Sequence, residues 1–178
     1  MSLWIFLVAA ALLSFERLCY GWVWRSPESF HALCDRPAVA CFGEPVAVLQ
    51  KLFFCFKGVQ FAVFFAWCYF YGQESPAPFS GGIFSLAVGG AMIVVGQSLN
   101  FSVFYRLGTI GVFYGNRFGY EIPWCREFPF SLLQHPQYIG TLLSIWGFFL
   151  AMRFPHDDWY LLPTLETGYY VLGAYFEQ

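Results

Sequence analysis

The chain is short of charge. Only 11% of its 178 residues are Asp, Glu, Lys or Arg, against 58% hydrophobic and 23% aromatic. A soluble domain carries about 25% charged residues, so this composition excludes a freely soluble globule, in keeping with the mean hydropathy of +0.55. The nine Lys and Arg are scattered rather than striped, which argues against a nucleic-acid interface. The six cysteines, at 19, 34, 41, 55, 68 and 125, form no C-x-x-C pair and no His/Cys ligand spacing. No metal is therefore expected; most of these thiols lie in apolar runs and act as small hydrophobes. There is no internal repeat, low-complexity tail or second domain. Residues 1–178 read as a single integral-membrane domain.

What is present is apolar sequence of membrane length. A helix needs about 20 mostly apolar residues to cross a bilayer, and such runs lie near 2–24, 45–72, 80–106 and 158–177. A shorter run near 137–153 spans or lies re-entrant. The connections "RSPES", "DRPAVACFGEP", "GQESPAPFSGG" and "RFPHDD" hold the usual breakers. The expected fold is all-α, a polytopic membrane bundle of four to five transmembrane helices. The opening "MSLWIFLVAAALLSFERL" lacks the basic flank of a signal peptide, and apolar character resumes at "CYGWVW", so it reads as a retained first helix. Glu16 and Arg17 interrupt that helix. Being adjacent, they do not face each other across a turn; they belong at an interface or turned into the bundle.

The basic residues orient the bundle. Arg25 and Arg36 follow the first run, and Arg106, Arg117 and Arg126 follow the third, while the "GQESPAPFSGG" loop has none. The positive-inside rule puts 107–136 in the cytosol, and with five spans Glu177 returns to that face. There, "GNRFGYEIPWCREFPFSLLQHPQYIG" (115–140) carries three prolines and the neighbouring charges Arg117/Glu121 and Arg126/Glu127. Pro136 is suited to the first position of a helix, whose free N–H groups would favour an anion such as a ligand carboxylate; a plain amphipathic loop on headgroups reads the same pattern. His135 is either a capping residue or an acid–base group near neutrality. Glu177, at the end of "LETGYYVLGAYFEQ", is a carboxylate at membrane depth and so a functional candidate; Glu166 raises the same question.

"LGTIGVFYGNRFG" (107–119) places glycines at 108, 111, 115 and 119, along one face if the segment is helical. Each costs roughly 1 kcal/mol in a helix relative to alanine. Helix packing through small residues explains Gly108 and Gly111, and close approach of a ligand to backbone explains Gly115 and Gly119.

The stretch 96–140 resembles the phospholipid N-methyltransferase family, in its plant-type branch, through "GQSLNF", "YGNRFG", "IPW…EFPF" and "PQYIG" in the family's order. The resemblance implies a small helical enzyme of the endoplasmic reticulum membrane (the inner membrane in a bacterium), active on the cytosolic face and using S-adenosylmethionine on a phospholipid in the bilayer. The family's nucleotide site, a G-x-G in the third helix and a Glu-Glu pair after the last, falls on Val94, Val95 and Gly96 and on Phe176 and Glu177. One glycine and one acid are kept. The implied cofactor residues are these together with Gly115, Gly119, Pro136 and Tyr138 of "PQYIG". The implied reaction moves a methyl group from sulfonium to a lipid amine, giving phosphatidylcholine from phosphatidyl-N-methylethanolamine and its dimethyl derivative, with phosphatidylethanolamine itself as a further candidate substrate. Glu177 and His135 are its candidate proton acceptors. Arg117 and Arg126 suit the lipid phosphate, and Tyr114, Trp124 and Phe128 suit cation–π contact with the ammonium, although interfacial anchoring explains those aromatics too. Isoprenylcysteine carboxyl methyltransferases share the outline and carry histidine where His135 stands. A non-catalytic tetraspan protein is the reading from another class.

Overall fold

The computed structural model describes residues 3–71, 79–123 and 125–177, and among these there is no strand. Helix α1 (Leu3–Arg25) is followed by two short helices, α2 (Pro27–Cys34) and α3 (Pro37–Ala40), each opened by a proline at its first position. Helix α4 (Pro45–Ala66) also starts on proline and widens into a π-helical turn at Trp67–Tyr71. Helix α5 (Gly82–Val112) is succeeded by a 3-10 turn at Gly115–Phe118, then α6 (Pro136–Met152) and α7 (Leu161–Phe176). Every apolar run of the sequence is a helix, with ends displaced by a few residues. Three of them, 3–25, 45–70 and 82–118, are long and apolar enough to cross a membrane. At 17 and 16 residues, α6 and α7 stand at the short limit of a membrane span and lie packed among the others.

The closest helix pair is α5 with α6. It is not built on the stripe at 108–119. A Cβ on Gly89 would lie 2.5 Å from the Gly147 carbonyl oxygen, and one on Gly140 would lie 2.6 Å from the Gly96 carbonyl oxygen. Gly89 therefore meets Gly147 and Gly96 meets Gly140, as expected of two antiparallel helices with the same seven-residue spacing. Backbones that close exclude side chains and gain dispersion contacts, the usual source of helix association in lipid. The Gln97 amide donates to Ser144 Oγ at 2.8 Å beside this seam. The expected glycine face fails because α5 does not continue through it: Gly108 has φ +62°, a left-handed backbone that kinks the helix, and Gly115 and Gly119 lie beyond its end.

Two apolar cores stack along the bundle. One joins Ala9, Leu13, Val63, Phe64, Ile145, Phe149 and Leu162; the other, at the basic end, joins Tyr20, Val23, Phe30, Leu49 and Phe113. Between them lies a polar layer of Glu16 and Arg17 (α1), Lys57 and Gln60 (α4) and Glu166 (α7), in which Glu16, Gln60 and Glu166 are buried. The adjacent Glu16 and Arg17 do touch, at 3.2 Å, having both turned into the bundle towards other helices. At the opposite end, Arg153 is buried and clamped by Asp158 through Nε–Oδ1 at 2.8 Å and Nη2–Oδ2 at 3.2 Å, so the one arginine found there is neutralised. All six cysteines are free.

Candidate active site

A cavity of about 850 Å³ opens between α1, α4, α5, α6 and α7. Its walls differ in chemistry. The α5–α6 wall presents Gln97, Asn100, Gln137, Thr141 and Ser144, and the α1–α4–α7 wall presents Glu16, Arg17, Lys57, Gln60 and Tyr170. Phe54, Phe61 and Phe101 complete the lining while remaining 61%, 55% and 71% exposed; these aromatic side chains face both the cavity and the surrounding lipid. The cavity therefore joins polar groups to the apolar phase through its α4–α5 side.

Glu177 caps α7 and reaches into this space. The hydroxyls of Tyr114 and Tyr138 both donate to its Oε1, each at 2.5 Å. The two bonds fix the carboxyl group, and its second oxygen has no hydrogen-bond partner among the described residues. Tyr114 adopts a left-handed backbone (φ 55°) just before the 3-10 turn, which aims its ring towards Tyr20 and Trp24. Tyr138 sits in the first turn of α6, where Pro136 at the first position starts the helix as its sequence requires. His135 occupies the N-cap but makes no side-chain cap bond. Its ring instead stacks on Tyr138, centroids 5.7 Å apart and planes within 18°. His135, Pro136, Tyr138 and Glu177 all line the cavity.

The other expected residues lie elsewhere. Val94 and Val95 are 66% and 53% exposed and are not part of the cavity wall. Gly96 is buried, but the space beside it is filled by α6 backbone. Gly115 is pressed against the Ile110 carbonyl, so its missing side chain serves packing. Gly119, at φ +88°, closes the 3-10 turn with nothing near its Cβ position. Of the glycine stripe, Gly111 is the member that lines the cavity. Arg117 lies 4.0 Å over the Trp24 ring, Arg126 is exposed, and Glu127 pairs with Arg106 at 2.5 Å rather than with its neighbour. Trp124 falls outside the described residues. Tyr120 donates to Glu44 at 2.6 Å, which ties the 115–135 segment to the start of α4 and raises the phenol's pKa because the carboxylate holds its proton.

Sequence reasoning passed over Lys57, Gln60 and Tyr170. A lysine inside an apolar run was a signal, but its charged partner is 41 residues away: Lys57 Nζ lies 3.1 Å from Glu16 Oε2.

The pattern of the phospholipid methyltransferase family matches residues 84–178, from α5 to the carboxyl end of α7. A phosphatidyl-N-methylethanolamine N-methyltransferase of Arabidopsis thaliana is 32% identical over 126 residues, which cover 71% of this chain and 67% of the relative. The chain belongs to the phospholipid methyltransferase family. No solved structure matches it. The chain is thus a membrane-embedded phospholipid N-methyltransferase, and the matched segment contributes Glu177, Tyr114, Tyr138 and the α5–α6 wall of the cavity. The ionic wall comes from α1 and α4, which precede that segment.

Proposed function

We propose that the enzyme methylates the amine of phosphatidyl-N-methylethanolamine and of its dimethyl derivative, giving phosphatidylcholine, with S-adenosylmethionine as donor. The observation that carries this reading is a carboxylate fixed by two phenols in the wall of a largely apolar cavity that carries a few polar side chains and has exposed aromatics along its α4–α5 side. At about 850 Å³ the cavity lies within the roughly 300–1,000 Å³ of small-molecule sites. Its donors and acceptors suit a nucleoside: Gln97, Thr141 and Ser144 are grouped on one wall, and Asn100 Oδ1 is buried with no hydrogen-bond partner among the described residues. The donor supplies an electrophilic methyl group on a sulfonium.

The chain's own groups do the rest. A lipid ammonium must lose a proton before its nitrogen lone pair can attack, and Glu177 accepts it, with His135 beside Tyr138 as the second acceptor. The ring faces of Tyr114, Tyr138 and Tyr20 would stabilise a sulfonium or ammonium held in the cavity. Alignment supplies most of the acceleration, and the apolar aromatics of α4 and α5 exclude water. The acyl chains occupy the α4–α5 side of the cavity. Arg117 and Arg126 form a basic collar for headgroup phosphate. This collar faces the cytosol, and the enzyme resides in the endoplasmic reticulum membrane if the source is a eukaryote and in the inner membrane if it is a bacterium.

The test is transfer of labelled methyl from S-adenosylmethionine by purified protein in mixed micelles. Phosphatidylethanolamine and its monomethyl and dimethyl derivatives are offered separately. Label entering the two methylated lipids supports the reading. Label appearing on a prenylated cysteine and on none of the lipids refutes it.

A further inference from the structure

The ionic wall of the cavity plays no part in the proton transfer described above, yet its arrangement is that of a binding site. Two cations share one carboxylate: Glu16 Oε1 lies 3.2 Å from Arg17 Nη2 and 3.0 Å from Lys57 Nζ. Lys57 also donates to Gln60 Oε1 at 3.0 Å, and the Gln60 amide nitrogen is spent on Glu166 at 2.8 Å. Arg17 Nε is buried and has no hydrogen-bond partner among the described residues. Its guanidinium lies 3.7 Å from the ring centroid of Tyr170, 5.6 Å from Tyr20 and 5.7 Å from Tyr138. Joining α1 to α4 requires only the Glu16–Lys57 pair. A second cation with an unused donor beside a cavity is surplus to that need, and ionisable groups within a membrane are retained for function.

We propose that Arg17 and Lys57, with Glu16, form the subsite for the aminocarboxylate end of the methyl donor. The two cations take the carboxylate, and Glu16 takes the ammonium. This rests on the donor proposed above. Charge complementarity is the first argument: a zwitterion meets two positive groups and one negative one. Depth is the second. Arg17 lies about two helical turns inward from Arg25, or ~12 Å, and Lys57 about three turns inward from Pro45, or ~18 Å. Half the hydrocarbon thickness is ~15 Å, so these cations lie far below the level at which a phospholipid holds its phosphate. The oxyanion that reaches them belongs to the slender, water-soluble reactant. The third argument is connection: Tyr138 gives its ring to Arg17 and its hydroxyl to Glu177, so one side chain links this subsite to the proton acceptor.

The experiment is calorimetric binding to the full chain in micelles, without lipid substrate. S-adenosylhomocysteine is compared with 5′-methylthioadenosine, which keeps the nucleoside and sulfur but lacks the aminocarboxylate. Wild type should prefer S-adenosylhomocysteine. Arg17→Gln and Lys57→Gln should each weaken it by about thirtyfold or more, the factor expected when one partner of a buried ion pair is removed, and leave methylthioadenosine within about twofold. Arg17→Lys, which keeps the buried charge but not the planar fork, should fold and still lose about tenfold of the preference. Equal losses for both ligands, or no loss for either, would overturn the subsite in favour of a purely structural cluster. Intact S-adenosylhomocysteine binding in the variants, with a raised lipid KM when the same proteins are run in the methyl-transfer assay, would overturn it in favour of a phosphate contact. Failure of wild type to bind either ligand would instead refute the proposed donor.

Discussion

Replacing Glu177 with glutamine separates basicity from shape. Tyr114 and Tyr138 both donate to Oε1, and an amide oxygen can accept the same two bonds, so the geometry of α7 and α6 should survive. Hydrogen bonds to a charged acceptor contribute about 1.5–3 kcal/mol against about 1 for neutral pairs, so the two phenols together lose about 1–4 kcal/mol of anchoring. The larger loss is the proton acceptor itself, which contributes about 10²–10⁴ in rate. Methyl incorporation into phosphatidyl-N-methylethanolamine at neutral pH should fall about a hundredfold or more, with S-adenosylhomocysteine affinity changed by less than about tenfold. The pH dependence is the signature. An amine of ordinary basicity loses its own proton near pH ~10, so the defect should shrink as pH rises towards that value. A Glu177→Gln enzyme within about tenfold of wild type at neutral pH, or a defect that stays constant with pH, would refute this role.

Other perturbations test separate parts of the structure. Gly96→Leu should push α6 from α5, because even a Cβ there meets the Gly140 carbonyl, and folded yield in detergent should collapse. Gly90→Ala, with nothing within 4 Å of the added methyl, should stabilise the fold by up to about 1 kcal/mol through helix propensity, read as a raised Tm. Asp158→Asn strands a buried arginine and should cost about 3–5 kcal/mol, most of it recovered in an Arg153→Met/Asp158→Leu double variant; both are read as thermal midpoints. Arg126→Ala should raise the lipid KM about fivefold, the equivalent of about 1 kcal/mol per basic residue at a membrane surface, with donor affinity unaltered.

The helices were legible because their cause is local. Twenty apolar residues in a row leave a chain few alternatives, and Pro136 marks the start of α6 in the sequence as it does in space. Glu177 and His135 stood out for the same reason, being polar groups at the end of an apolar run and at a helix start. Tertiary neighbours decided the rest. The glycines that pack are 89, 96, 140 and 147, on two helices whose register the sequence does not display, whereas the conspicuous row at 108–119 is broken by the kink at Gly108. The row divides contrary to expectation: Gly115 packs and Gly111 borders the cavity. The ionic wall was hidden because Glu16 and Lys57 are far apart in the chain and meet only once α1 and α4 associate. Carrying a motif over by position sent the donor to Val94 and Val95, whose side chains point outward.

The central claim is that donor and lipid amine meet in the cavity between Arg17 and Glu177. A structure of the purified enzyme with S-adenosylhomocysteine bound tests it most directly. The account expects the ligand inside the five-helix cavity, its aminocarboxylate at Arg17 and Lys57 and its sulfur on the Glu177 side. Density for the ligand on the outer face of α5 beside Val94 and Val95, with the cavity filled by lipid alone, would contradict it.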